Sequence, residues 1–279
     1  MTLSQAEFNE LLEIITSRTG IIPRASHRDG IKLYVEKQLT ALDISYKKYV
    51  ARLLTESDAF MELVNESTVN ETYFFREARQ FEFVKNKLFP LWQASFGAKP
   101  IKMWSAACSY GEEAYSLAIL ARSCFMKAEI TASDINTNVL AHCQRGRFRS
   151  ASLRHTDGVS FQHLITPFIQ NDGYILFDEQ TRAMISTRCL NLAELDSPLM
   201  EARLPRGQNI VFLRNVFIYF APELRARILR TITEKCLMDG GYLFVSMSEI
   251  AQIDNSLMPN GLEKLVDGNV FYFHKKMEK

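Results

Sequence analysis

The residues best suited to chemistry cluster between Trp104 and Glu113, where Trp-Ser-Ala-Ala-Cys-Ser-Tyr-Gly-Glu-Glu runs from an apolar stretch through small residues to two acids. Small side chains let backbone approach a ligand closely, and amides at a helix start point outward toward it. Gly111 is the single glycine of this loop, so a dinucleotide fingerprint is poorly matched. Glu112 and Glu113 would repel a pyrophosphate yet suit a cationic group such as an amine; they also complement a helix dipole. Asp134 ends the next apolar run, about 20 residues beyond Gly111, where a nucleotide-binding α/β unit places an acid to grip ribose hydroxyls. The same aspartate would serve equally as a cap for a helix at Asn136. Asn191-Leu192 and Arg214-Asn215 end further apolar segments, at the ligand crevice of an open sheet or in turns.

The elements that position these residues follow from periodicity. From Ser4 to about Val69 apolar residues recur at three- and four-residue steps, as in Phe8, Leu11, Leu12 and Ile15, and less strictly in Leu33, Val35, Leu39 and Leu42. Ser4 with Glu7 forms a capping-box pattern. Residues 1–69 are therefore expected to be a small all-helical domain. After residue 100 short apolar runs alternate with helical stretches: strands over 101–106, 130–133, 210–213 and 242–246, helices over 112–124, 136–144 and 222–236, and an edge strand over 270–274. Such alternation predicts an α/β domain, 70–279, with a mostly parallel sheet covered on both faces. Between about 150 and 188 the alternation lapses. Extended runs at 174–177 and 183–185, with Asp172-Gly173 as a hairpin turn, predict an inserted antiparallel β-subdomain.

Composition narrows the function classes. With 279 residues, 47% of them hydrophobic and 23% charged, the chain has the balance of an ordinary globular protein. A formal net charge of +1 provides no global field toward nucleic acid or an anionic membrane. The five cysteines are widely spaced with no Cys-x-x-Cys pair or Cys/His cluster, so neither disulfides nor a metal site is expected. No signal-peptide pattern and no run of about 18 apolar residues occurs, which makes the cytoplasm the expected location.

Taken together, Asn70-Glu-Thr-Tyr-Phe-Phe-Arg76, the block from Ser105 to Ser116, Ala132-Ser-Asp134, Asn191-Leu192, Arg214-Asn-Val-Phe-Ile-Tyr219-Phe220 and Ser246-Met-Ser-Glu249 resemble the CheR-type chemotaxis receptor methyltransferases. The match is collinear over most of the chain. It departs at Ala114, where the family usually has proline, and at Ser246-Met247, where it has Gly-His. The resemblance implies a Rossmann-like S-adenosylmethionine-dependent methyltransferase that esterifies glutamate side chains on methyl-accepting chemoreceptors. It also implies that Asn70, Thr72, Arg76, Glu113, Asp134, Asn191, Leu192, Arg214 and Asn215 line the cofactor site. Arg76 and Tyr219 would stand near the transferred methyl, the arginine holding the acceptor carboxylate and the tyrosine orienting it. Without the family match, Arg76 reads as a surface ion pair with Glu77 or Glu82, and Tyr219 as a half-buried aromatic.

Two family features are weakly represented. Arg24, Arg28, Lys32, Lys37, Lys47, Lys48 and Arg52 stand where relatives present a basic helix to the receptor, but several alternate with acids and read as solvated surface. Relatives that dock a receptor C-terminal peptide use a glycine-rich loop; the turn at 170–174 has one glycine, which counts against tethering here. The competing readings are a cofactor-binding signalling module, a methyltransferase of another protein substrate, and a nicotinamide oxidoreductase. Retention of both Arg76 and Tyr219 disfavours the first, and the single loop glycine disfavours the last.

Overall fold

In the computed structural model, which describes residues 2–253 and 255–277, the chain opens with α1 (Gln5–Thr19), α2 (Ala25–Leu42), α3 (Tyr46–Thr55) and α4 (Ser57–Ser67). Ser4 caps α1 as its pattern predicts. Its hydroxyl accepts the Glu7 amide and the Glu7 carboxylate accepts the Ser4 amide, which satisfies donors that a helix start leaves open. Phe8, Leu11 and Ile15 of α1 pack on Ile31, Val35 and Leu39 of α2, with Leu53 and Leu63 closing the cluster. The apolar stripe of α2 differs from the expected one. Ile31, Val35 and Leu39 face inward at four-residue steps; Leu33 is exposed because residues two apart on a helix do not share a face, and Leu42, the last residue of the helix, is exposed at its end.

Next come α5 (Ala78–Phe83), a π turn (Val84–Leu88) and α6 (Phe89–Phe96), which lead into β1 (Ile101–Ala106), α7 (Glu112–Ser123), β2 (Ala128–Asp134) and α8 (Thr137–Arg145). The remaining strands are β3 (Arg147–Arg149), β4 (Tyr174–Leu176), β5 (Ile185–Cys189), β6 (Gln208–Leu213), β7 (Leu237–Phe244), β8 (Leu262–Asp267) and β9 (Val270–Lys275). Among the described residues seven strands form one sheet in the order β5-β2-β1-β6-β7-β9-β8. The first five run parallel and β9 is antiparallel to both its neighbours. This is the mostly parallel α/β sheet that the alternation predicts, in the Rossmann-like form that the resemblance implies. Its central strands are apolar on both sides: Met103 and Phe212 face one core and Trp104 and Val211 the other, as buried parallel strands require. Because the order reverses between β1 and β6, their C-terminal ends open the crevice in which such sheets take ligands.

The structure corrects three strand assignments. Val270–Lys275 is interior, and the edge belongs to β8, whose interleaved Glu263, Lys264 and Asp267 hide it from any apolar-run criterion while discouraging edge pairing. Ile185–Cys189 lies at the opposite edge of the main sheet rather than in the insertion, and Glu179–Ala183 before it is helical. As an edge strand it is partly exposed at every position, which accommodates its polar Ser186, Thr187 and Arg188 on both faces. The insertion is antiparallel as expected, but β4 pairs with β3, which precedes residue 150; the turn at Asp172-Gly173 closes a single bridge, Ile169 to Ile175. A three-residue strand is too short to show a period.

Gly111 sets how closely α8 approaches the loop after β1. Its φ is 106°, and a Cβ there would lie 2.5 Å from Cys143 Sγ. Gly111→Ala is expected to destabilise the fold by about 1–3 kcal/mol through backbone strain and overpacking. Cys143→Ala in the same chain should recover the packing part of that loss in thermal melting, so the two effects should fall short of additive.

Candidate active site

Arg214, at the end of β6, has a side chain only 2% exposed. A guanidinium so placed must be surrounded by acceptors. Its Nε donates to Glu113 Oε2 at 2.7 Å; its Nη1 donates to the Arg76 carbonyl oxygen at 2.6 Å and to Gln80 Oε1 at 3.1 Å, with the Glu77 carboxylate at 4.0 Å. The rings of Phe81 and Phe212 lie against its plane. Glu113 in turn accepts the Ser105 hydroxyl at 2.5 Å. One buried cation thereby joins the ends of β1 and β6, the first turn of α7 and the segment before α5.

That segment, Asn70–Ala78, is strained. Phe75 and Glu77 have φ of 55° and 59°, a conformation uncommon for any residue other than glycine. Asp157 of the insertion stabilises it by accepting the Glu77 and Ala78 amides and the Tyr73 hydroxyl. The Phe75 amide donates to Ser116 Oγ, and the Phe74 amide to the Ser152 carbonyl. Phe74 and Phe75 are buried in the core. Arg76 lines the cleft, with Nη1 donating to the Glu71 carbonyl at 3.0 Å. The expected surface partners are otherwise engaged: Glu82 accepts the Ser160 hydroxyl and Glu77 the Met247 amide.

The other walls are built in the same manner. Asp134 is buried and accepts the Ser109 amide at 2.8 Å and the Asn136 amide at 3.0 Å. Burial pushes its carboxyl up, and these amides oppose the rise. The Asn191 side chain accepts the Ala193 amide and donates to the Arg18 carbonyl at the end of α1. Asn215, with φ 57°, donates its amide to Glu249 Oε2 at 2.7 Å. Glu249 is fully buried and also accepts from the Ser246 hydroxyl and the Ile218 amide, fastening the loops after β6 and β7 to each other. Tyr219 ends the short 3-10 turn Phe217–Tyr219; its carbonyl accepts the Ile22 amide at 2.9 Å. Burial raises its phenol, which the nearby Arg24 and Arg76 counteract.

Asn70, Thr72, Arg76, Glu113, Asp134, Asn191, Leu192, Arg214, Asn215 and Tyr219 all line one cleft beyond the C-terminal ends of β1 and β6. Thr19, Ile21, Pro23, Arg24 and His27, from the end of α1, its link to α2 and the first turn of α2, line it from the helical region. Of these only Arg24 was singled out in the sequence, and it read there as solvated surface rather than as part of the cleft. Asp157 was missed as well, and Glu249 stood within the Ser246–Glu249 motif without a role assigned to it; an acid in a loop carries no sign in sequence of which amides it will accept.

The two adjacent acids of α7 have different surroundings. Glu113 reaches the cleft, whereas Glu112 is 4% exposed, accepts the Ser152 hydroxyl on Oε1 at 2.8 Å, and has no donor to Oε2 among the described residues. Burial pushes the Glu112 carboxyl up to about 7. A carboxyl that binds its proton more tightly folded than unfolded contributes stability that is complete below the unfolded value of about 4.3 and is lost as pH rises through about 7. Ionisation at higher pH thus costs on the order of 3 kcal/mol. Glu112→Gln removes this titration. In denaturant melts the stability difference between variant and wild type should swing by roughly that amount between pH 4 and pH 8; a difference independent of pH would contradict the assignment.

Residues 70–260 match the family model described as CheR methyltransferase, SAM binding domain. Chemotaxis protein methyltransferase 1 of Vibrio cholerae is 28% identical over 260 residues, covering 89% of this chain and 90% of that one. Chemotaxis protein methyltransferase 1 of Pseudomonas aeruginosa is 30% identical over 262 residues, covering 89% and 92%. Chemotaxis protein methyltransferase Cher2 of Pseudomonas putida is 34% identical over 197 residues, covering 67% and 68%. The matched region contains every sheet-side residue of the cleft, and the chain belongs to the CheR methyltransferase family, enzymes that use S-adenosylmethionine as methyl donor in chemotaxis.

Proposed function

We propose that this enzyme converts glutamate side chains on the cytoplasmic helices of methyl-accepting chemoreceptors to methyl esters, working in the cytoplasm. One observation carries the reading: Arg76 and Tyr219 line the same cleft as Glu113 and Asp134, so an anionic acceptor and a cationic donor both meet complementary walls. Chemotaxis in the names of the relatives supports the receptor as acceptor, and no described helix is long and apolar enough to cross a membrane.

S-adenosylmethionine supplies a methyl group activated by its sulfonium. Glu113 takes the amino group of this cofactor and Asp134 the ribose hydroxyls, with Ile135, Leu190 and Leu192 offering apolar surface to the base. Asn70, Thr72, Asn191 and Asn215 complete the surroundings, and Arg214 acts through Glu113, whose carboxylate it holds. Arg76 holds the acceptor carboxylate and the Tyr219 hydroxyl orients it. A glutamate is already ionised at neutral pH, so no general base is required and positioning dominates. Residues 70–279 act as the methyltransferase domain, with about 150–188 as its insertion, and residues 1–69 as the helical domain that supplies the second wall.

Two experiments test this. Incubation with radiolabelled S-adenosylmethionine and a purified chemoreceptor cytoplasmic fragment should give label that base releases as methanol, and glutamine in place of the receptor glutamates should abolish it. Base-stable label would rule the reading out. Arg76→Ala should melt like wild type yet lose about 10²-fold in single-turnover methylation, since loss of an exposed ion pair alone costs at most about 1 kcal/mol of stability and leaves turnover intact. A near-native single-turnover rate would remove Arg76 from the acceptor site.

A further inference from the structure

Arg24 has the sequence context of a surface cation, yet its guanidinium lies 5.1 Å from the centre of the Tyr219 ring, at the mouth of the cleft. Two features hold it there. The Ile22 amide donates to the Tyr219 carbonyl at 2.9 Å, fixing the chain two residues from Arg24. Gly20, with φ 72°, lets the turn after α1 close onto the sheet domain so tightly that a Cβ would fall 2.3 Å from Leu224 Cδ2. Arg24 occupies the N-cap position of α2, where its side chain makes no capping bond, and among the described residues no carboxylate lies within 4.0 Å of it. An exposed guanidinium with no carboxylate partner, held beside a tyrosine that lines the cleft, is available to an anionic ligand.

We propose that Arg24 binds the acceptor carboxylate, forming with Arg76 a two-sided cationic clamp at the Tyr219 ring, one arm from the helical region and one from the sheet domain. This rests on the reading of the acceptor as a glutamate side chain. A carboxylate has two oxygens and about four lone-pair sites, enough for donors from both sides. The acceptor enters with one negative charge and leaves as a neutral ester, so a clamp made of charge draws in the substrate and releases the product. A cation supplied by the helical region also makes the acceptor site complete only when both walls are in place.

The test compares Arg24→Ala, Arg24→Lys and Arg24→Glu with wild type, using the purified chemoreceptor cytoplasmic fragment as acceptor, calorimetry with S-adenosylhomocysteine, and thermal melting. In Arg24→Ala, kcat/KM for the acceptor should fall about ten- to a hundredfold with cofactor affinity unchanged. Lysine should restore part of the loss and glutamate should deepen it, a dependence on charge that a purely structural role would not give. If the alanine variant melts early, Arg24→Gln, which keeps length without charge, becomes the deciding variant. Native kcat/KM in the deciding variant, or weakened S-adenosylhomocysteine binding in it, overturns the assignment. Base-stable label with wild type overturns the carboxylate reading and Arg24's role with it, whereas base-labile label with unaffected variants removes Arg24 alone.

Discussion

A guanidinium buried at the end of β6 governs how this molecule is arranged. Arg214 has almost no access to water, and removing one partner from such a group costs about 3–5 kcal/mol. Its acceptors come from α7, from the Arg76 carbonyl and from Gln80, so those three pieces of chain cannot relax independently. Glu113 is held by the same constraint. A carboxylate facing the cleft with one oxygen on Arg214 and the other on Ser105 has a set direction before any ligand arrives.

Around this centre the backbone is bent into conformations that side chains disfavour. Seven described non-glycine residues have positive φ, and five of them, Phe75, Glu77, Ala107, Ser109 and Asn215, border the site. Each such residue costs on the order of 1 kcal/mol, a concentration expected where geometry serves function. The compensation is chemically uniform. Asp134, Asp157 and Glu249 each accept main-chain amides from a bent loop, and charge-assisted bonds of this kind are about twice as strong as neutral ones.

Legibility in sequence followed burial. The central strands β1 and β6 are apolar on both faces and stood out as runs, β2 showed only its Ile130 and Ala132 face, and the loop after β1 was marked by its small residues. The edge strands β5 and β8 are half exposed and carry charges, so no period marked them. Glu112 and Glu113 look alike in sequence because the difference between them is about 100° of helix rotation, which turns one into the core and the other toward the cleft. The wall supplied by residues 19–27 was not legible as part of the site for another reason: Arg24 reads as solvated surface, and the segment reaches the cleft only through tertiary packing of α1 against the sheet.

The contacts that define the cleft join distant parts of the chain. Arg214 meets Glu113 across 101 positions and Arg76 across 138; Gln80 donates to the Val245 carbonyl across 165; Asn191 donates to the Arg18 carbonyl across 173. Contacts of such separation require long loops to close before they return any stabilisation. During synthesis the helical region can form early from its own local contacts, but the cleft has no partial version. Until β6 emerges, Glu113 and the turn at Phe75 lack the cation that holds them, and the site becomes competent only once β7 and the loop after it, which carry Val245 and Glu249, have followed.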